Sequence, residues 1–547
     1  MKINVIIKDR NLAERVTIIL LFLCINSFAQ QPTAFTVSLE PVTIPGFPGL
    51  HSFNFSQHNG KWLIIGGRRD GLHIPQPGAF PANLRNDSIY VVEPATQQVW
   101  KSGLSVLPDS VRDQLSSTNS NFTTNNGTLF ISGGYGFSTA ANMKITFPYL
   151  TAVSVDSLIQ AVINGDDISP WFKTIRSDYF KVTGGRLNFI DTHFYLVFGH
   201  LFDGEVAPIP VISGDTVYWQ RYTYAIKKFD INVDANSLSF SPIAEWVDSA
   251  AMRRRDYNLV KQIFPNRNVG LTAFSGVFPV EFVGVPYLEP IDIDTAGFTV
   301  VNTFQQKLNH YHCANIPVYD SVANAMHTVF FGGVAQYIVD STGAIVEDPS
   351  FPFVKTVARV TRKSDGTMEE VKLGNELPGF LGSGSEFIVN ENLDLLEHEI
   401  IDLNKVTADI SFAGYIVGGV NSSFAYAMSF NPDQNSFASP TIYKVNIIKG
   451  NALGEKPISF NQNETLQLSL FPNPASGSVN LSFNVAAKTD VSVFVINESG
   501  KTEEEFFYPS VSKGKQNYKI ILPEKKGIYF IKIKTKDFVS TKKLIVE

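Results

Sequence analysis

Six times along this 547-residue chain a strand-like apolar run stops at glycine. The runs are Trp62-Leu-Ile-Ile-Gly66-Gly67, Leu129-Phe-Ile-Ser-Gly133-Gly134, Phe194-Tyr-Leu-Val-Phe-Gly199-His200, Leu271-Thr-Ala-Phe-Ser-Gly276, Thr328-Val-Phe-Phe-Gly332-Gly333 and Gly414-Tyr-Ile-Val-Gly418-Gly419. A repeat of this kind constrains the fold more than composition does. One unit cannot bury its own apolar face and has to stack on its neighbours. Ahead of the first two runs lie others, residues 51–55 and 120–124, joined to them by Asn59-Gly60 and Asn126-Gly127, the strongest short hairpin signal. Third and fourth runs follow, as at Ser88-Ile-Tyr-Val-Val92 and Gln98-Val-Trp100; residues 224–230 and 441–445 fit the same place. The unit is four short antiparallel strands. Its glycines stand where the backbone needs positive φ and close approach.

Composition agrees. The 43 Phe, 19 Tyr, 39 Gly and 29 Pro favour strands joined by turns. A single core rarely serves more than about 250–300 residues, so a chain of this length needs several domains or a repeat. Two stretches read as helices, 108–115 and 155–163, the latter ending at Asn164-Gly165.

Four-stranded units with a glycine-closed second strand resemble the blades of kelch β-propellers, over about residues 30–450. The spacing of roughly 60–85 residues exceeds the ~50 of a kelch unit. The resemblance implies about six blades, or seven if residues 150–173 hide strands. It also implies ring closure, with Phe35-Thr-Val-Ser-Leu39 joining the blade that ends near Ile448 and removing an open edge.

Residues 1–29 have a basic start (Lys2, Lys8, Arg10, Arg15), then the apolar run 16–29, which contains Cys24. This is the pattern of a cleaved secretory signal. The run is shorter than the ~20 residues of a membrane span, and no later segment is long and apolar enough to be one. Removal of Cys24 would leave Cys313 alone, with no internal disulfide.

The other end alternates apolar and polar residues with period two, as short strands with one buried face do. It opens with Phe471-Pro472-Asn473-Pro474, carries Gly527-Ile-Tyr529 and closes on Lys542-Lys543-Leu-Ile-Val546. These elements, in this order, resemble the type A C-terminal sorting domain of the type IX secretion system. The resemblance makes residues 465–547 a small Ig-like β-sandwich and 451–464 a linker, in an otherwise all-β protein. It implies, as partners, the outer-membrane translocon and a sortase-like peptidase, and a mature body outside the cell or on its surface.

Net charge is −6. The last 83 residues hold twelve Lys and eight Asp or Glu, and residues 1–29 four basic and two acidic groups, which leaves the middle near −12. Such a balance argues against nucleic acid, whose binding depends on basic groups neutralising phosphates.

In a blade, the loop entering strand one and the loop leaving strand two share a face, and here the second set is long. The polar residues of those loops are therefore the candidate ligand site: His51, Arg68, Arg69, Asp70, His73, Asp178, His200, Asp203, Arg254, Asp256, His310 and His312, with Asn119, Ser383 and Glu386 at equivalent entries. The alternative role for the Arg–Asp pairs is to tie blades together. His310-Tyr-His312 has a spacing that metals accept on a strand, but no third ligand is in view and no cofactor is identified. Asp292-Ile-Asp294 lacks the oxygen-rich loop of a calcium site. Ser364-Asp-Gly-Thr367 resembles part of a sialidase Asp-box without its aromatic. No Gly-x-Ser-x-Gly, His-Glu-x-x-His or P-loop occurs. The sequence points first to a glycan- or polymer-binding propeller. The alternatives are an extracellular hydrolase or a metal oxidase of galactose oxidase type, and an adhesive surface protein.

Overall fold

The computed structural model describes residues 35–73, 79–204, 219–277, 286–340, 343–348, 350–426, 435–450, 457–458, 468–485, 487–497, 502–535 and 539–547. The export signal expected at 1–29 and most of the 451–464 stretch lie outside them.

Among the described residues, six four-stranded antiparallel sheets form the blades of a β-propeller. Blades 1 to 6 span residues 54–103, 121–176, 186–247, 258–300, 315–376 and 380–449. Within a blade the strands pair in chain order, as in blade 1, where Asn54 opposes Ile65, Trp62 opposes Val92 and Ser88 opposes Gly103. Second strands are almost wholly buried, Lys61–Ile65 and Thr128–Ser132 for instance. A strand flanked on both faces by other blades has no polar side, which is why these runs are continuously apolar.

The radial arrangement is written in the core. Six apolar clusters each draw on two neighbouring blades: Leu63 with Leu129, Phe130 with Phe194, Tyr195 with Leu271, Phe274 with Phe330, Val329 with Tyr443, and Ile388 with Trp62. The cycle closes through strand Phe35–Val42, which pairs with Ile442–Lys449 from Phe35↔Lys449 to Val42↔Ile442 and supplies the outer strand of blade 6.

Both expected helices are present, at Asp109–Leu115 and Val155–Asn164. The second lies between the third and fourth strands of blade 2 and packs Leu158 and Ile159 into the cluster shared with blade 1, so residues 150–173 contain no seventh blade. Opposite the long loops, the hairpin connection of blade 6 folds back to the axis. Its strand Ile400–Asp402 pairs in parallel with the innermost strand of blade 5, Val318↔Ile401, and buries Ile401, Leu403 and Val406. This segment closes one end of the channel.

Residues 468–547 form a β-sandwich of a three-stranded and a four-stranded sheet. Its core is a separate cluster that includes Val479, Leu481, Val493, Ile531 and Leu544. From the stretch before it, Pro457–Ile458 adds a short strand to the outer edge of blade 5.

Candidate functional site at the channel mouth

The glycine pairs set the geometry of the mouth. Both positions have positive φ in every blade: 75° and 81° at Gly66-Gly67, 67° and 91° at Gly133-Gly134, and 48° and 87° where Phe198 replaces the first glycine. The second residue's N–H reaches across to the next blade, Gly67 to the Ser117 carbonyl at 2.9 Å and Gly134 to Val182 at 3.0 Å. A side chain on the first residue would collide with that neighbour. A Cβ at Gly133 would fall 1.9 Å from the Val182 oxygen.

The residue after each pair bonds to the loop entering strand one, as Arg68 with His51, Tyr135 with Thr118 and His200 with Thr183. One or two positions further along each entering loop, six residues form a closed ring of backbone hydrogen bonds. Asn119 donates to Ser52, Gly184 to Asn119, Asp256 to Gly184, His312 to Asp256, Gly384 to His312, and Ser52 back to Gly384, at 2.8–3.4 Å. Five of the six have left-handed φ, between 51° and 72°. That conformation suits Asn, Asp and Gly and is strained at Ser52.

Inside the ring is a depression of about 280 Å³, part of it open to solvent, lined by Ser52, Asn119, Ser120, Arg186, Asp256, His312 and Glu386. Arg186 and Glu386 come from blades 3 and 6, on opposite sides of the axis, and meet across it. Arg186 Nη1 is 3.2 Å and His312 Nε2 2.9 Å from the same Glu386 oxygen. Burial opposes ionisation of Glu386, but Arg186 and His312 outweigh it and hold its carboxyl below the usual range. Burial and Arg186 together hold His312 below its ordinary value, against the pull of Glu386. The floor of the mouth is thus a carboxylate shared by one arginine and one histidine.

Only part of the sequence-derived set converges here. Asp256 and His312 line the depression, with Asn119 and Glu386. His51, Arg68 and Asp70 form their own group on blade 1. Arg68 holds Asp70 through two bonds of 2.7 and 2.5 Å, His51 Nε2 is 3.7 Å away, and the Asp70 backbone bridges to Phe437 of blade 6. Burial opposes ionisation of Asp70, yet His51 and Arg68 hold its carboxyl low, so this group ties two blades together. Arg69 reaches the Asn83 carbonyl, His73 lies on the Phe80 ring, and Asp203 pairs with Lys181, all on the outer rim. Asp178 is exposed on a short 3-10 helix, Asp178–Phe180, six residues ahead of the ring. Arg254 is a correction: it is fully buried, donating to the Ala251, Ser275 and Glu289 carbonyls. His200 is buried against Phe202 and Tyr222, and burial with Arg255 and Arg253 keeps it neutral.

The histidine pair does not share a face. His310 Nε2 donates to the Gln306 carbonyl and its Nδ1 accepts from the Gln336 N–H, so both ring nitrogens are occupied by backbone. Burial pushes this histidine down to about 3 and the neighbouring Cys313 thiol up to about 12. The residues do not fit a copper–cysteine centre. Asp292 is bound by Arg362 through both oxygens, and Asp294 caps the Ala296 and Gly297 amides, which accounts for the Asp-Ile-Asp motif without calcium.

Arg186 was missed by sequence reasoning. A signal existed: in the first three blades the ring residue stands 14 positions before the first residue of the glycine pair or its equivalent (52 and 66, 119 and 133, 184 and 198). Arg186 follows its ring residue by two.

In the C-terminal sandwich the motif elements meet on the last strand, Val539–Val546. Asn473 Oδ1 accepts the Ile545 N–H, and Ala475, just after Pro472 and Pro474, bridges in parallel to Val546. Gly527 opposes Val546 and Tyr529 opposes Leu544. The Tyr529 hydroxyl donates to the Lys525 carbonyl, and Lys542 reaches the Leu468 carbonyl. The Lys543 side chain lies outside the described residues.

No curated protein matches the sequence. Solved structures that resemble it include that of YjhT (TM-score 0.41, 10% identity, 76% of this chain and 99% of that one) and a mutant Trypanosoma rangeli sialidase displaying trans-sialidase activity (0.34, 9%, 94% and 89%). A glycoside hydrolase family 43 arabinoxylan arabinofuranohydrolase from Bacillus subtilis is a third (0.24, 12%, 91% and 94%). Likenesses this distant identify no activity. The C-terminal region does have a family: residues 469–547 match the model of the secretion system C-terminal sorting domain. The sandwich is therefore a sorting domain of the type IX secretion system, and the chain is one that this system exports to the cell surface or the extracellular space.

Proposed function

We propose that the exported propeller, a variant of the kelch type, is a binding module that holds a glycan or similar extracellular polymer over its channel mouth. One observation carries this reading. Entry turns from all six blades place polar and charged groups around a single blind depression, closed beneath by the 400–406 segment. Convergent polar groups in a concavity on a rigid scaffold are what a ligand site requires.

The electrostatics favour binding over hydrolysis. A glycosidase needs one carboxylic acid whose pKa is raised so that it can donate a proton. Glu386 is held in the opposite direction by Arg186 and His312. It is suited to accept hydrogen bonds from sugar hydroxyls, and Arg186 to donate them.

The test is affinity electrophoresis of the purified propeller through gels containing neutral and acidic polysaccharides, with wild type beside the double variant Arg186→Ala/Glu386→Ala. Removing both charges leaves no orphaned partner, so the fold should persist. Retardation of wild type by at least one polymer and a roughly tenfold loss in the variant, about 1.4 kcal/mol of binding, is expected. A wild-type protein that no polymer retards would refute the reading.

A further inference from the structure

We infer that the mouth carries an anion-selective subsite between blades 3 and 4, built by Arg253 and Arg255 with Tyr222, Tyr224 and Tyr287, which takes the carboxylate or sulfate groups of an acidic glycan. This rests on the proposed glycan-binding function and names its ligand class.

The starting point is a mismatch of charge. The propeller region is acidic, near −12, yet three consecutive arginines, Arg253-Arg254-Arg255, occupy the turn entering blade 4. Local acids do not cancel them. Asp248 caps the Ala250 and Ala251 amides, Glu289 accepts from Gln305, and Asp256 stands 3.5 Å from Arg255 Nε while lining the depression. Arg254 is buried with carbonyl partners only, so its full charge sits behind the surface. Burial lowers its pKa only to about 10, and it stays charged.

Arg253 lies flat on the Tyr222 ring, 4.1 Å from its centre, and the Tyr224 ring is 6.2 Å from that of Tyr222. Tyr287 covers Arg254 at 4.2 Å, and its hydroxyl donates to the Ala250 carbonyl at 3.1 Å. A guanidinium stacked on a ring keeps its in-plane N–H groups available to a planar anion, and the ring limits the freedom lost on binding. Both Arg253 and Arg255 remain half-buried. Arg255 stands 3.4 Å from His200 Nε2, which fixes that histidine as an acceptor on this side.

The subsite is continuous with the mouth. A Cβ on ring residue Gly184 would lie 3.1 Å from Asp256 Oδ1, 3.3 Å from Arg255 Cβ and 3.4 Å from His200 Cε1. A polymer crossing the depression can therefore place one residue over Arg186–Glu386 and the next against Arg253–Arg255.

The experiment is calorimetric titration of the full propeller with polygalacturonate, chondroitin sulfate and neutral dextran at two salt concentrations. The variants are Arg253→Ala, Arg255→Ala and Arg253→Lys. Binding of either acidic polymer at least tenfold tighter than dextran, weakened about tenfold by each alanine variant and partly restored by lysine, is expected, as is loss of affinity on raising salt. Melting curves matching wild type secure the comparison. If an alanine variant melts early, the lysine variant alone decides: unchanged affinity and salt response overturn the inference. Equal binding of dextran and the acidic polymers overturns the subsite while leaving glycan binding intact. No binding of any polymer removes both.

Discussion

The propeller and the C-terminal sandwich bury similar kinds of side chain but close in opposite ways. The sandwich is sealed within about 80 residues, with its longest pairings between Asn473 or Ala475 and the last strand. The propeller is sealed by Phe35–Val42 pairing with Ile442–Lys449, some 400 residues away. Its blades also lock to one another through the glycine-pair amides and the ring from Ser52 to Gly384. The lesson concerns cooperativity. A ring that lacks one strand exposes an edge and two blade faces, whereas a sandwich that loses a terminal strand affects only itself.

The largest expected effect is an exchange of deletions. Removing residues 35–42 should unfold the propeller over a broad, non-cooperative transition and leave hydrogen-exchange protection in 478–534 unchanged. Removing 542–547 takes away the strand on which Asn473, Ala475 and Gly527 converge. That variant should keep a protected propeller but accumulate in the periplasm, with secreted protein down tenfold or more. Full propeller protection without residues 35–42, or normal export without 542–547, would erase the distinction.

A smaller, sharper test lies inside the glycine pairs. Gly133→Ala puts a methyl group 1.9 Å from the Val182 carbonyl of the next blade, in addition to the cost of φ at 67°. Gly165→Ala, at the end of the helix Val155–Asn164, meets only the backbone cost, because nothing lies within 4 Å. The second should lose about 1 kcal/mol, the left-handed penalty alone. The first should lose about 3 kcal/mol or more, as overpacking is added to strain. Chemical denaturation of both variants checks the ratio. Equal losses would mean that the blade junction yields, and that the interlock is weaker than its geometry implies.

The fold was legible for the reason that makes this test sharp. Two consecutive residues of positive φ next to another backbone leave glycine nearly no substitute, so the pairs survive as a visible mark. Where Phe198 and Ser275 take the first position the mark fades, though one glycine remains. The closing strand and both helices were equally readable from period and caps. The site was harder. Which polar residue faces the axis depends on a ring of bonds formed between blades, and no local pattern separates Asp256, which lines the depression, from Arg254, which is buried two residues earlier. His310 looked like a ligand because its two backbone partners, Gln306 and Gln336, are set by loop packing that sequence spacing does not encode.

The smallest expected effect separates the two regions by pH. Glu370, on the outer strand of blade 5, is fully buried and accepts the Lys307 and Leu308 amides at 2.7 and 3.2 Å, anchoring the loop that leads to His312. Burial pushes its carboxyl up to about 8, against the opposing pull of those amides and of the Lys307 charge. The folded chain thus holds a proton that the unfolded chain has released above about 4.5. The stability this gives is complete below that pH and is lost as pH rises through about 8. Buried His310 and His327, both pushed down to about 3, act with the opposite sign: their contribution is complete above 6.5 and lost as pH falls through the acid range. The two effects part company between pH 6.5 and 9, where only Glu370 is still titrating among these three groups. Over that window the propeller's melting temperature should fall by a few degrees while the sandwich's stays level. Glu370→Gln should flatten the propeller's slope, because the amide keeps an acceptor for the loop and has no proton to lose. An unchanged slope in that variant would assign the pH dependence to another group and free the entry loop of blade 5 from this control.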